Sequence, residues 1–101
     1  MSDRPEHTDK PRIETEYCNQ CGLLLRAGWM AQELLRAFED ELQEVVLRPG
    51  SGGNFIVRLS GDVLFSRKVS GRFPEAKELK LLIRDRIDSE RLFGHDERDS
   101  D

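Results

Sequence analysis

Two cysteines separated by two residues are the part of this sequence best suited to chemistry. They are Cys18 and Cys21, with Asn19 and Gln20 between them, and the chain of 101 residues contains no other cysteine. In this spacing one thiolate can attack a disulfide, and the second can resolve the mixed disulfide that forms. We therefore predict that Cys18 and Cys21 are the catalytic pair of a thiol–disulfide redox protein.

Three other uses of a cysteine pair compete with redox chemistry. A structural zinc site needs about four ligands, and the chain adds only His7 and His95, near its two ends. Covalent haem attachment requires a histidine directly after the second cysteine, where Gly22 stands. Two buried cysteines that act as small apolar side chains are the third alternative. Redox use is favoured, and we expect no bound metal or cofactor.

The elements that must position the cysteines follow from the spacing of apolar residues. Residues 12–17 alternate between β-forming apolar or small side chains and charged ones, which predicts a strand with one exposed face. A helix is predicted from about Leu23 to Glu41, because apolar residues recur on one of its sides. That stripe consists of Leu23, Ala27, Met30, Ala31, Leu34, Leu35, Phe38 and Leu42.

The second half of the chain predicts three more strands and a helix. The apolar run 45–47 is typical of a buried strand. Residues 55–59 and 63–65 predict a hairpin, because a short break containing Gly61 separates them. A last helix is predicted to begin near Pro74 and to present an apolar stripe as far as Ile87.

This order, β-α-β-β-β-α, predicts an α/β (α+β) fold in which two helices pack on a mixed sheet. The strand–helix–strand start predicts a parallel, right-handed crossover. A CxxC between the first strand and the first helix is typical of thioredoxin-like proteins. We expect one thioredoxin-like domain at 11–93, between disordered polar tails at 1–10 and 94–101.

The predicted helix start bears on cysteine reactivity. A free cysteine has a pKa of ~8.5 and is mostly protonated at neutral pH. The unpaired N–H groups and positive dipole end at a helix N-terminus favour the thiolate. By the logic of thioredoxin, the first cysteine is the more exposed one there, which favours Cys18 as the attacking residue.

Three stretches of the chain resemble the selenoprotein W-like (Rdx) family. They are YCNQCG at 17–22, PGSGGNFIV at 49–57 and GDVLFSRK at 61–68, within a similarity that runs from about residue 13 to 87. The resemblance, to a cysteine-containing member of bacterial type, implies a thioredoxin-like fold and thiol redox activity, with glutathione as a candidate co-substrate. Selenium-containing members carry selenocysteine at the position of Cys21, so the analogy favours Cys21 as the reactive residue.

A second function class rests on Leu25 and Trp29. Both fall opposite the apolar stripe of the predicted helix, within two turns of the cysteines. An exposed tryptophan beside a reactive centre is a candidate contact for a partner protein. The alternative function is therefore a redox-sensitive interaction module that binds a partner through the Leu25/Trp29 face. The competing interpretation is that the tail or the hairpin covers these side chains.

Two further features have plainer interpretations. The glycine-rich stretch 50–53 lacks the lysine and the following helix of a phosphate-binding loop, so we expect a connection near the cysteines. Arg67, Lys68 and Arg72 form a small basic group that is most simply a solvated strand end and turn. They could also hold a carboxylate of glutathione.

Charge and hydropathy restrict the partners. The two ends account for the whole formal net charge of −4, so the body is neutral and lacks the electropositive surface that nucleic-acid binding needs. No apolar run approaches the ~20 residues of a membrane span. We expect a cytoplasmic monomer whose partners are protein thiols or disulfides, with no nucleic acid and no membrane.

Overall fold

The computed structural model describes residues 10–99, with side chains described as far as Ser89. Within them, four strands and three helices follow in chain order: β1 (Arg12–Cys18), α1 (Leu24–Ala37), β2 (Glu44–Gly50), β3 (Phe55–Leu59), β4 (Asp62–Ser66), α2 (Arg67–Ser70) and α3 (Ala76–Asp99). The predicted order is confirmed. The addition is α2, a single helical turn where we expected a strand end and a turn.

The strands form one mixed sheet in the order β2-β1-β3-β4. β1 is parallel to β2 and antiparallel to β3, and β3 is antiparallel to β4. The carboxyl ends of β1, β2 and β4 therefore meet the amino end of β3 at one edge of the sheet. We call this end the cysteine edge and define it as residues 18–26, 50–54 and 67–73.

The helices cover one face of the sheet. Ile13, Thr15 and Tyr17 of β1 are buried, as alternation predicts for the inner face of a strand. They face a core of apolar side chains from β1, β3, β4, α1, the segment after α1 and α3, against which the half-buried Val45 and Leu47 of β2 pack. That core consists of Ile13, Tyr17, Ala27, Met30, Leu34, Phe38, Leu42, Phe55, Val57, Leu59, Phe65, Leu79, Ile83 and Ile87. Leu35, which we placed in the stripe, is 42% exposed.

The other face of the sheet carries paired charges, and we call it the ionic face. Arg48 Nη1 lies 2.8 Å from Glu14 Oε2 and Arg58 Nη1 lies 3.1 Å from Glu16 Oε1. The hydrogen bond from Arg48 holds the pKa of Glu14 below its ordinary value. Arg12 of the same face pairs with Glu44 at 2.9 Å. These pairs join neighbouring strands across the face.

Some element boundaries differ from the prediction. α1 ends at Ala37, although the backbone N–H of Phe38 still donates to Leu34 O at 3.0 Å. Pro74 precedes α3 instead of lying in its first turn. The backbone of α3 is helical as far as Asp99, beyond residue 93, where we ended the domain. Of the predicted tails, residues 1–9 and 100–101 lie outside the described residues.

No helix within residues 10–99 combines the length and the apolar character needed to cross a lipid bilayer.

Candidate functional site: a disulfide at the edge of the sheet

Cys18 is the last residue of β1 and is held firmly by its neighbours. Its Cα pairs with that of Gly50 on β2. Its N–H donates to the carbonyl oxygen of Asn54 at 2.8 Å. The residue is only 1% exposed. Cys18 is thus fixed by backbone hydrogen bonding on both sides of β1.

Cys21 lies in the turn that follows β1 and is exposed. The turn is closed by the N–H of Gly22, which donates to Asn19 O at 3.3 Å. Gly22 has φ +72°, a conformation that glycine adopts without the steric cost of a Cβ. This turn brings the Cα atoms of the two cysteines to 5.4 Å, and Cys18 and Cys21 form a disulfide.

The disulfide therefore joins a buried cysteine, Cys18, to an exposed one, Cys21. The expectation that Cys18 is the more exposed cysteine is wrong, because β1 continues through Cys18 instead of ending before it. In a thiol exchange the accessible sulfur meets the partner first.

The amino end of α1 lies directly after the disulfide turn. α1 begins at Leu24, and Leu23 precedes it with no side-chain capping hydrogen bond. The N–H of Ala27 makes the first intrahelical bond, to Leu23 O at 2.9 Å. The first N–H groups of a helix carry its positive dipole end. As the sequence predicted, the pair adjoins this positive end, although both cysteines precede the helix.

The glycine-rich stretch lies against the cysteines, where we expected it. Asn19 N–H donates to Gly50 O at 3.1 Å, and the loop is closed by Asn54 N–H, which donates to Ser51 O at 3.3 Å. Behind the loop, Glu16 Oε2 accepts a hydrogen bond from Asn54 Nδ2 at 3.3 Å. A side chain of the ionic face therefore supports the backbone that borders the disulfide.

The basic residues after β4 separate into two groups. Arg67 Nη1 donates to Gly53 O at 2.9 Å, so Arg67 belongs to the cysteine edge. Arg72 instead pairs with α3, because its two terminal nitrogens donate to the carboxylate of Glu78 at 2.9 and 2.6 Å. This interaction lowers the pKa of Glu78 from 4.5 to about 2.

Arg26 is a residue of this edge that the sequence interpretation missed. Its guanidinium carbon lies 4.1 Å from the centre of the Phe73 ring, and that of Arg67 lies 4.5 Å from the same centre. The available signal was electrostatic: Arg26 lies in the first turn of α1, where the helix dipole disfavours a cation.

Leu25 and Trp29 are exposed, as the helical wheel predicted. Leu25 is 85% and Trp29 53% exposed, and Val69 of α2 is 87% exposed. Apolar side chains are therefore exposed on α1, next to the disulfide turn, and on α2. The hairpin does not cover the Leu25/Trp29 face, and residues 1–9 of the predicted tail lie outside the described residues.

Within the part of the chain that the structure describes, no group of three or more histidine, cysteine, aspartate or glutamate side chains could hold a metal ion. His7 and the side chain of His95 lie outside the described residues. The zinc alternative therefore has only Cys18 and Cys21 as described ligands, and they are bonded to each other.

With the disulfide and its sheet edge defined, the comparison with known families is decisive. Residues 12–85 match the model of the Rdx family. The chain belongs to the Rdx family. The resemblance inferred from the three sequence stretches is confirmed.

Two crystal structures of bacterial proteins are similar to this Rdx protein. A selenoprotein W-related protein from Vibrio cholerae is 46% identical with a TM-score of 0.76, over 78% of this chain and 99% of that chain. A protein from Bordetella parapertussis is 55% identical with a TM-score of 0.75, over 76% of this chain and 98% of that chain. The thioredoxin-like mixed sheet is thus shared with selenoprotein W-related structures.

Two mammalian proteins are more distant relatives. Migration and invasion enhancer 1 of Bos taurus is 35% identical over 75 residues, which are 72% of this chain and 62% of that protein. The Mus musculus protein of the same name is 35% identical over 74 residues, which are 71% of this chain and 61% of that protein. The chain thus spans less than two thirds of the length of these curated relatives.

Proposed function

We propose that this Rdx-family protein carries out reversible dithiol–disulfide exchange at Cys18 and Cys21. The family itself suggests thiol redox function. The single observation that carries the proposal is the pairing of an exposed cysteine with a buried one at a hydrogen-bonded sheet edge. An exposed sulfur can meet a substrate, and a fixed neighbour can displace that substrate afterwards.

In the reducing direction, the Cys21 thiolate attacks one sulfur of a substrate disulfide. A Cys21–substrate disulfide forms, the substrate S–S bond breaks, and one substrate sulfur leaves as a thiolate. The Cys18 thiolate then attacks Cys21 Sγ, which forms the internal disulfide and releases the second substrate thiolate. Two electrons pass to the substrate, and the two protons lost by the cysteines are regained by the substrate thiols.

We assign the attack to Cys21 and the resolving step to Cys18 for two reasons. Cys21 is exposed, whereas Cys18 is 1% exposed. Cys21 also lies nearer to the amino end of α1, whose dipole stabilises a thiolate. The position of selenocysteine in the family supports the same assignment.

The substrates in this proposal are protein thiols and disulfides, with glutathione as the co-substrate that restores the dithiol. The compartment in this proposal is the cytoplasm, where reducing conditions keep such a pair as a dithiol between turnovers. Under those conditions the disulfide is the oxidised half of a working cycle.

A redox titration tests this proposal. The purified protein is equilibrated in a series of glutathione redox buffers, quenched with acid and weighed by intact mass spectrometry. We expect one two-electron transition with the loss of two hydrogens, near the ~−200 to −270 mV range of known exchangers. Failure to form an internal disulfide at any potential would contradict the proposal. One zinc ion per chain that copurifies with the protein, and whose removal by a chelator unfolds it, would contradict the proposal as well.

The second candidate function is a protein-interaction module that binds through the Leu25/Trp29 face. The specific observation in its favour is the exposure of Leu25 and Trp29 beside the disulfide. The double variant Cys18→Ser/Cys21→Ser separates the two functions. A redox protein loses all exchange activity with this variant, whereas an interaction module keeps its partner. Trp29→Ala is the reciprocal variant, since it should weaken partner binding and leave the redox transition in place.

A further inference from the structure

Most basic side chains described through Ser89 pair with carboxylates, and three that do not lie at the cysteine edge. The ion pairs of these side chains include Arg12–Glu44, Arg48–Glu14, Arg58–Glu16, Arg72–Glu78, Lys80–Glu33, Arg84–Glu41 and Arg86–Asp62. Among the side chains described through Ser89, Arg26, Arg67 and Lys68 meet no carboxylate. Arg36 and Lys77 are also unpaired, on the exposed surfaces of α1 and α3.

An aromatic ring holds two of these cations close together. The guanidinium groups of Arg26 and Arg67 both lie on Phe73, with carbon-to-centre distances of 4.1 and 4.5 Å. Phe73 is itself fixed edge-on against the buried Phe55, at 5.5 Å between ring centres. A phenyl ring orients a guanidinium without cancelling its charge. Both groups therefore keep N–H donors and a full positive charge for another ligand.

Two of these cations border loop 50–54, which is hydrogen-bonded to the disulfide turn. Cys18 N–H is bonded to Asn54 O, and the neighbouring Gly53 O accepts from Arg67 Nη1. Lys68 Nζ lies beside the same loop, 3.5 Å from where a Cβ on Gly52 would stand. Arg26 approaches from the first turn of α1, which directly follows the disulfide turn. The loop 50–54 therefore contacts the cysteines as well as two of the cations.

Building on the exchange function above, we propose that Arg26, Arg67 and Lys68 form a docking surface for an acidic polypeptide segment that flanks the reactive cysteine of a protein substrate. Carboxylates of that segment meet guanidinium groups through charged hydrogen bonds. The exposed Leu25, Trp29 and Val69 supply apolar contacts around the same turn.

The distribution of charge along the chain also favours an acidic partner at this edge. The two ends carry the whole formal net charge of −4 and the body between them is neutral, so a group of unpaired cations on the body attracts an acidic partner to this edge. Such a distribution steers encounter and orientation more than it adds affinity. A group of three cations on a chain of net negative charge is too small for the backbone of a nucleic acid, which needs a broad basic surface.

Two synthetic peptides test the proposal. Each carries one cysteine as a 2-thiopyridyl mixed disulfide, flanked by glutamates in one peptide and by glutamines in the other. The reduced wild-type protein attacks the peptide sulfur, and thiopyridone is released as the leaving group. We expect the acidic peptide to react roughly tenfold faster at low ionic strength. The ratio of the two rates should approach one near ~1 M salt, where the Debye length is about 3 Å.

Variants then locate the effect. Arg26→Gln/Lys68→Gln should bring the acidic-to-neutral rate ratio within about twofold of one, and it leaves the Arg67–Gly53 bond in place. Arg36→Gln removes an unpaired cation of the same helix about 15 Å further along its axis. Compared at about 0.15 M ionic strength, where the Debye length is ~8 Å, that matched control should keep the wild-type ratio, since ~15 Å exceeds the screening distance.

Several outcomes would overturn the docking proposal without touching the exchange function. A ratio near one in the wild-type protein, with normal reaction of the neutral peptide, is one of them. Equal loss of the ratio in the Arg36→Gln control is another. A third is a charge dependence seen with oxidised glutathione and absent with the acidic peptide, which would assign these cations to a small ligand. By contrast, a wild-type protein inert toward both peptides would refute the exchange function itself.

Discussion

The ionic face and the cysteine edge both carry basic side chains, but the partners of those side chains differ. On the ionic face, Arg48 and Arg58 lie 2.8 and 3.1 Å from carboxylates. At the cysteine edge, Arg26 and Arg67 meet a phenyl ring and a carbonyl oxygen instead. Exposed ion pairs contribute little to stability, so leaving a surface cation unpaired is inexpensive. The contrast teaches that charge is neutralised where strands must align and left available at the edge where we propose that a substrate docks.

The largest expected effect separates the two cysteines of the edge. We predict that Cys21→Ser abolishes mixed-disulfide formation with a thiopyridyl peptide, because the remaining Cys18 is 1% exposed. Cys18→Ser should still form the mixed disulfide at Cys21 and should fail to release it. Stopped-flow rates and intact masses of both variants measure this difference. Comparable reactivity of the two variants would remove the basis for assigning the attack to Cys21.

The second prediction concerns Gly50, where the ionic face meets the cysteine edge. A Cβ at this position would lie 2.8 Å from Glu16 Oε2 and 3.0 Å from its Cγ. Glu16 would have to move away from Arg58 and Asn54, so Gly50→Ala should lower the free energy of unfolding by about 0.5–1 kcal/mol, the worth of a partly exposed ion pair. Urea denaturation followed by circular dichroism measures the change.

Gly28→Ala is the matched control for this substitution. A Cβ there meets nothing within 4 Å, and Gly28 lies inside α1. Alanine should therefore stabilise the helix by about 0.5–1 kcal/mol. Opposite signs for the two glycines would confirm that Gly50 is required by the close approach of Glu16. If both variants were stabilised, the approach of Glu16 would not require a glycine at position 50.

These regions also mark how far the sequence alone could lead. Alternation over residues 12–17 and 55–59 predicted β1 and β3 because a strand's two faces are recorded locally in the chain. The position of the CxxC between β1 and α1 followed from the same local order. The convergence of Arg26, Phe73 and Arg67 could not be predicted, because it depends on how α1 and the segment after β4 meet in space.

The short helix α2 and the exposure of Leu35 were missed for related reasons. A single helical turn at Arg67–Ser70 has no periodicity to detect, and its formation depends on tertiary contacts. Leu35 satisfies the apolar spacing of α1, but it lies ~100° around the helix from the buried Leu34 and is 42% exposed. The order of cysteine exposure was missed because β1 extends further than its alternating pattern.

The third prediction extends the comparison to the core, where an unpaired polar group has no substrate to meet. Thr15 is fully buried, and its Oγ1 has no hydrogen-bond partner among the described residues. Thr15→Val keeps the shape and removes the hydroxyl, so the free energy of unfolding should rise by about 1 kcal/mol. Thermal and urea denaturation measure the effect. A loss of stability would mean that the hydroxyl is satisfied and that the core contains a polar contact.

The smallest effect is expected from the one basic residue of the cysteine edge that is paired, Arg72. Hydrogen bonding from Arg72 lowers the pKa of Glu78 from 4.5 to about 2. Because the folded-state pKa lies below the unfolded one, the stabilisation is complete above pH 4.5 and is lost as the pH falls through about 2. In Arg72→Gln the pKa of Glu78 should return toward 4.5, as read from the carboxyl carbon in an NMR titration.

Glu14 is the internal control, since its pKa is lowered by Arg48 on the ionic face and should not respond. A Glu78 titration unchanged by the substitution would place Arg72 with the unpaired cations of the cysteine edge and enlarge the docking surface.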